Sequence, residues 1–455
     1  MGINFDRGWV ALTYLLCALW FLMVYYTVIP WMLSIPIEMS NWLNLSFVTW
    51  TLIGLSLVGS SLWFIIHALY PFVRGRVIKE QLQAVKNARY GNYHKPLVSI
   101  IVPARNEEGV IQRTIRGCLS QSYRNTEVLA ICHNCSDNTV HEAQAIYDKR
   151  VRVFDLKTAE AGKGIALNHA LKQARGEYLL IVDSDAILSH DFIDLALPLF
   201  RSGYAAVQGK IVGSNKDYSI VSRMLALESE MFSVPFMAVR HILDKRVPLG
   251  GTGLLIRKDI LHAVGGFRNE LIDDFELSFR LFRHKHRIAF APLSIVYDEK
   301  PPALRSMITQ RSRWVKGHMD LLKEKIPETS DIIGNIYWLQ PIFMVANISL
   351  IGLISYSVIH YIFFGFYPYT FSFMPIHIWF AMAGISYLLQ MIILIQDNGS
   401  KALRDAGYIA LLIPFSHYWY ATLARAFFVK SWANTKTTHG FIVKPISEAV
   451  TSAEA

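Results

Sequence analysis

The sequence predicts an α/β domain with a mostly parallel sheet, inserted between N-terminal and C-terminal transmembrane α-helices. Three observations predict it. Residues 8–37, 39–73 and 332–396 contain no Asp, Glu, Lys or Arg, and one bilayer crossing needs only about 20 apolar helical residues. From Pro96 onward, short apolar runs alternate with amphipathic stretches, the pattern of βαβ units and a mostly parallel sheet. Arg74, Arg76 and Lys79 directly follow the second apolar run, whereas the connection between the first two runs carries only Glu38. The positive-inside bias therefore puts the middle of the chain in the cytoplasm.

Taken in order, residues 1–75 are expected to hold two transmembrane helices, at 9–33 and 44–72, the second ended by Pro71 and the basic cluster. The first run is too long for a signal peptide and is followed by another, so it is expected to be retained. Residues 76–300 form the soluble domain. Its expected strands are Leu97–Val102, Glu127–Ile131, Val151–Phe154, Tyr178–Val182 and Tyr204–Gln208, with helices near 107–121, 138–147, 163–174 and 190–202. Residues 301–330 interleave Arg305, Arg311, Arg313 and Lys316 with Leu304, Met307, Ile308 and Trp314, which suits helices in the membrane interface. Residues 331–428 hold membrane segments at 336–361 and 373–396, and a further charge-free stretch, 406–424, interrupted by Pro414. A cytoplasmic tail, 429–455, completes the chain. The 53% hydrophobic fraction agrees with a membrane protein.

The net charge of +10 is not accompanied by a zinc-finger, recognition-helix or RNA-binding pattern, so nucleic acid is not expected as a partner. Four cysteines, Cys17, Cys118, Cys132 and Cys135, are too few for a disulfide framework. Cys132 and Cys135 form a CxxC with no second Cys or His pair at metal spacing, and are read as small loop residues rather than a zinc site.

Parallel sheets bind ligands at the carboxyl ends of their strands, and the residues there carry chemistry. Asp183-Ser-Asp185 ends the strand YLLIV. Two carboxylates so spaced can hold a hard divalent cation that bridges a diphosphate; a surface turn would look the same. Pro103, Asn106 and Glu107 follow the first strand, and Asp137 the second, where it can equally be a helix N-cap. Lys163-Gly164 opens a helix, where an ammonium and free N–H groups can hold phosphate oxygens, the alternative being an exposed lysine. In Asp273-Asp274 one carboxylate is expected to face a cleft while its neighbour caps or solvates. Gln310, Arg313 and Trp314 offer a guanidinium fork for phosphate and a flat face for a sugar, or an interfacial anchor.

This ordered set, with Gly250-Gly-Thr-Gly253 between the DxD and the Asp pair, resembles the family 2 glycosyltransferases with a D, DxD, D, QxxRW signature. It is most similar to their membrane-integrated branch, which includes cellulose, chitin and hyaluronan synthases and NodC-like enzymes, and the likeness spans residues 97–317. The resemblance implies a Rossmann-like GT-A fold, a UDP-sugar donor, Mg2+ or Mn2+, and inversion at the anomeric carbon. It implies Asp274 as general base and Asp183 and Asp185 as the metal site. Pro103, Glu107, Asp137, Lys163, Asp183, Asp185 and Arg313 would contact the nucleotide sugar, and Gln310, Trp314 and Asp273 the acceptor. Two departures stand out: Cys132-His133-Asn134-Cys135 replaces an Asp-Asp-Gly-Ser-like loop near the base, and Ile272-Asp273 replaces Thr-Glu. The segment with Trp432, Thr435 and Lys436 resembles the gating segment of processive synthases, or is a membrane-edge anchor. Gating needs a cytoplasmic tail, so 406–424 would be re-entrant, interfacial or a tight pair.

The implied product is a growing polysaccharide made at the cytoplasmic face of the plasma membrane, with membrane lipids as surroundings. The rivals are transfer of one sugar to a membrane lipid or lipid-linked glycan, and a nucleotide-sensing transporter, which the scarcity of ionisable residues in the apolar runs disfavours.

Overall fold

The computed structural model describes residues 7–30, 45–90, 95–325, 343, 345–349, 352, 355, 356, 358–365 and 376–430. The chain divides into two compact units: Met1–Phe72 with Leu322–Ala424, and Val73–Leu321 with Arg425–Ala455.

In the first unit the helix Arg7–Met23 runs on through a π turn, Val24–Val28. Its buried side chains Leu16, Trp20 and Val24 form a core with Ile53, Phe64, Met382, Leu389 and Ile392. Trp20 stacks on Phe64 with ring centres 4.2 Å apart. Leu15, Leu22, Tyr25 and Tyr26 on the same segment are exposed. Among the described residues, two helical segments, Ala11–Val28 and Thr51–Ala88, are long and apolar enough to cross a membrane. The helix Ile376–Asn398 follows, and the stretch after it is interrupted, as its Pro414 led us to expect: short helices Ala406–Ala410, Leu412–Phe415 and Tyr418–Ala426 replace one continuous rod. The segment with Trp432, Thr435 and Lys436 lies outside the described residues.

One expectation is corrected here. The helix Leu45–Tyr90 does not end at Pro71 but passes through it. Proline removes one backbone donor and crowds the preceding turn, but the following turns are held by burial. Val73, Val77, Gln81, Val85 and Ala88 recur at helical spacing on the buried face. Gln81 donates to Leu195 O (3.2 Å) and accepts from Leu293 N (3.0 Å), and Glu80 accepts from Tyr204 OH (2.6 Å) and Lys245 Nζ (3.0 Å). Tertiary packing outweighs the local break.

The second unit is built on eight strands: β1 Val98–Ala104, β2 Thr126–His133, β3 Val151–Leu156, β4 Tyr178–Ile181, β5 Ile187–Leu188, β6 Ala206–Gly213, β7 Leu254–Arg257 and β8 Ile288–Asp298. They form one sheet in the order β3-β2-β1-β4-β7-β6-β8-β5. Strands β1 to β4 are parallel, as expected from their apolar runs. β7 enters antiparallel between β4 and β6, and β8 pairs parallel with β6. The sheet is therefore mixed. The core lies between sheet and helices, with Ile100, Val102, Ile115, Val128, Leu180, Phe192 and Val207 fully buried.

This topology decides where the site falls. β4 and β7 pair with Ile181 opposite Leu254, so the residues after β4 lie beside those before β7, which are Gly250 to Gly253. The DxD and the glycine loop share one sheet edge because the strands run in opposite directions.

Candidate active site

Asp183 leaves β4 with its N–H donated to Thr252 Oγ1 (3.1 Å), and Gly253 N donates to Ile181 O (2.9 Å). Lys163 begins the helix Lys163–Gln173, and its ammonium donates to Asp183 Oδ1 (2.6 Å) and to Gly251 O (3.1 Å). The helix start is fixed by close approach: a Cβ on Gly164 would lie 2.3 Å from Arg268 O. His133, at the end of β2, ties the same corner, with Nδ1 3.2 Å from Gly162 O and Nε2 2.6 Å from Thr158 Oγ1.

Asp273 and Asp274 open the helix Asp273–Arg283. Asp273 is buried and Asp274 half-buried, and both lie in the field of Lys163 and Arg313. Of the two expected roles for the second carboxylate, capping or solvation, the first turn excludes solvation, since both carboxylates are withdrawn from water. Helical Cα–Cβ bonds tilt toward the N-terminus, so adjacent first-turn carboxylates can both project past the helix end, toward the cations. Asp274 Oδ1 also accepts from Phe275 N (2.8 Å). Arg313 lies on the helix Leu304–Lys325 and donates through Nη1 to Leu271 O (2.6 Å), and Gly317, one turn on, allows that helix to approach Ile272.

The electrostatics follow from burial against pairing. Burial raises the Asp183 carboxyl to about 6, with Lys163 opposing and Asp185 adding to the rise. Asp273 is likewise raised to about 6 and Asp274 is raised, in both cases by burial first. Burial alone would lower Lys163, but Asp183, Asp273 and Asp274 together leave it raised. Arg313 is lowered by burial, against the pull of the same three carboxylates. Asp183, Asp273, Asp274, Lys163 and Arg313 therefore form one electrostatic cluster.

The remaining expected residues lie on the elements as follows. Pro103 sits in β1 opposite Ile131. Asp137 accepts from Thr139 N (3.1 Å) and Glu108 N (3.3 Å), and Glu107 N donates to Thr139 Oγ1 (2.7 Å), so the loops after β1 and β2 are stitched together. Asp185 O accepts from Arg113 Nη2 (3.3 Å). Gln310 and Trp314 share a helix with Arg313. Cys132 and Cys135 are unbridged; Cys135 lies in the loop after β2, where its Sγ accepts from Asn106 N (3.5 Å), whereas Cys132, expected in the loop, is a buried residue of β2 itself.

Sequence reasoning missed the parts that brace the cluster. Gln208 donates to Thr252 O (2.9 Å) and accepts from Gly250 N (2.8 Å). Ser278 Oγ accepts from Leu249 N and donates to Asp274 O, both at 2.8 Å, joining glycine loop to Asp helix. Glu276, fully buried, pairs with Arg280 (2.8 Å), which also donates to Gly266 O (2.8 Å). Serine and an Asp/Glu-to-Arg pair at i,i+4 on an amphipathic helix are the only signals these residues left.

Asp183 and Asp185 supply the hard oxygen donors that Mg2+ or Mn2+ requires, and Asp185 is among the charges that raise Asp183, so a cation is a fitting neighbour. Among the described residues no group of three or more His, Cys, Asp or Glu could hold a metal.

The mixed eight-stranded sheet, with an Asp-x-Asp beyond β4, is GT-A-like. Residues 95–317 match the family described as "Glycosyltransferase like family 2", and the chain carries a glycosyltransferase family 2 domain. Beta-monoglucosyldiacylglycerol synthase of Trichormus variabilis is 30% identical over 295 residues, 63% of this chain and 60% of that protein. Poly-beta-1,6-N-acetyl-D-glucosamine synthase of Staphylococcus epidermidis is 26% identical over 342 residues, 70% of this chain and 79% of that protein. The match thus spans about 60% of the first of these relatives. A mannosyltransferase of Pyrobaculum calidifontis, solved with GDP-Man and Mn2+, aligns with 83% of this chain and 96% of its own at 18% identity and a TM-score of 0.45.

Proposed function

We propose that the protein is an inverting hexosyltransferase that moves a sugar from a UDP-sugar to a growing polysaccharide at the cytoplasmic face of the plasma membrane. The observation that carries the reading is the shared field of Asp274, Lys163, Asp183 and Arg313 beside the DxD. A sugar hydroxyl is a poor nucleophile, so Asp274 accepts its proton as the oxygen bonds to the anomeric carbon. The bond from that carbon to the diphosphate oxygen breaks on the opposite side, and the electron pair leaves with the diphosphate. Lys163 and Arg313 hold that developing charge. When bound at Asp183 and Asp185, Mg2+ or Mn2+ would supply Lewis-acid stabilisation of the same leaving group. Pro103 near the end of β1, with Glu107 and Asp137 in the loops after β1 and β2, would frame the nucleoside, while Gln310, Trp314 and Asp273 would face the acceptor.

Residues 76–300 serve in this reading as the catalytic domain, with membrane helices in 1–75 and 331–428, interfacial residues 301–330, and a tail, 429–455. A second reading, transfer of one sugar to a membrane lipid, is favoured by the relative named for a glucosyldiacylglycerol.

The test is to incubate detergent-solubilised protein with a panel of nucleotide sugars and measure nucleoside diphosphate release and product length. A ladder supports the polymer, and one lipid-linked species the alternative. Asp274→Asn should lower transfer by about 10²–10⁴-fold while nucleotide binding persists. Full transfer by that variant would remove Asp274 from the role.

A further inference from the structure

Trp314 is half-buried, and its surroundings are more specific than an aromatic residue at a membrane edge requires. Arg311 precedes it by three residues on one helix, on the same side. Its guanidinium carbon lies 4.4 Å from the indole centre, so one face of the ring is covered by a cation. Arg311 is in turn held from a different element: Nη2 is 3.2 Å from Glu228 Oε1, with the two side chains 15% and 25% exposed.

Glu228 is the last residue of the helix Ile220–Glu228, where the backbone widens into a π turn, Ser229–Ser233. Such turns are rare and concentrate at functional sites. This one brings in a second acid, Glu230, buried and 3.6 Å from Lys216. The other side of the Arg313 helix grips the loop before Asp273. One helix therefore connects the carboxylate-clamped indole to the acidic pair.

We propose that Glu228 and Arg311 are positioning residues for the acceptor. Glu228 fixes Arg311, Arg311 closes one face of Trp314, and the indole can meet an incoming pyranose ring only with its opposite face. The ligand class is the terminal sugar of the acceptor, whose C–H face stacks on an aromatic plane. This rests on the reading of Trp314 as an acceptor contact and adds the device that sets its orientation.

The test compares Glu228→Gln and Arg311→Lys with the unaltered full-length protein, varying acceptor at saturating donor and separately following donor hydrolysis without acceptor. The expected result is a rise of about tenfold in acceptor KM, with donor KM and hydrolysis changed less than twofold. In a Trp314→Ala background, Glu228→Gln should add nothing, because the pair acts through the indole. An unchanged acceptor KM overturns the proposal, as does a parallel fall in transfer and hydrolysis, which would mark a merely structural pair. Trp314→Ala assayed alone keeps the two levels apart: an unchanged acceptor KM there would sink the reading of Trp314 as an acceptor contact, whereas the acceptor KM of Glu228→Gln bears on the positioning pair.

Discussion

Asp273 and Asp274 hold their charge at a disadvantage. Burial raises both carboxyls, Asp273 from the ordinary 3.8 to about 6, and the cations Lys163 and Arg313 only partly offset it. A base must be ionised to work, so, with burial raising Asp274, kcat/KM should climb with pH along an acidic limb displaced above that of an ordinary carboxylate. Stability runs the other way. Between 3.8 and about 6 the folded chain binds more protons at Asp273 than the unfolded chain, and stability falls as pH rises wherever that holds. A pH–rate profile and a pH series of melting midpoints, taken on one preparation, should move in opposite directions across this window, and Asp273→Asn should flatten its share of the melting trend. At this scale the sequence was informative about residue types at strand ends: Asp183, Lys163 and the Asp273-Asp274 pair come together. It was silent on Glu276 and Arg280, because a Glu and Arg four residues apart on a helix read as a solvated pair until burial is known.

Among elements, the glycine loop before β7 is the most constrained piece. Gly251 has φ +73°, and a Cβ there would lie 2.9 Å from Asp274 Oδ2. Gly251→Ala should therefore cost about 1–3 kcal/mol of stability through backbone strain. It should also displace Asp274, the proposed base, lowering kcat by about 10²-fold, a size that small misplacements produce. Calorimetry and steady-state assays on the purified variant check both; unaltered kcat would mean the loop does not set the position of Asp274. The strands β1, β2 and β4 were legible as apolar runs bounded by turn residues, and β3 as Val151 and Val153 alternating with Arg152. β7 was not, since Leu254–Arg257 directly follows a glycine run that reads as loop. The antiparallel insertion is a property of strand order, which period and composition do not encode. The passage of the Leu45–Tyr90 helix through Pro71 was hidden for a related reason: local grammar said stop, and buried contacts made elsewhere in the chain overrode it.

For the whole molecule, the long apolar helices set the expected behaviour in a cell. Two described segments have the length and composition of bilayer spans, so the full chain should remain in the membrane pellet after an alkaline carbonate wash and move to the supernatant only with detergent. Release by carbonate alone would count against integration. Much of this was readable from charge-free stretches, whereas the division of the chain at Phe72 and Leu321 required knowing which helical turns are buried.

The place of β7 in the sheet also has a consequence for biogenesis. β4 leaves the ribosome with one partner, β1, but its other neighbour is encoded beyond the whole of β6 and the helices that follow it. Until Leu254 emerges, the nascent parallel half presents an unpaired strand edge, the kind of surface that recruits stray chains. Vectorial synthesis thus leaves a window in which the half-made sheet is adhesive, and a ribosome that pauses there would lengthen it.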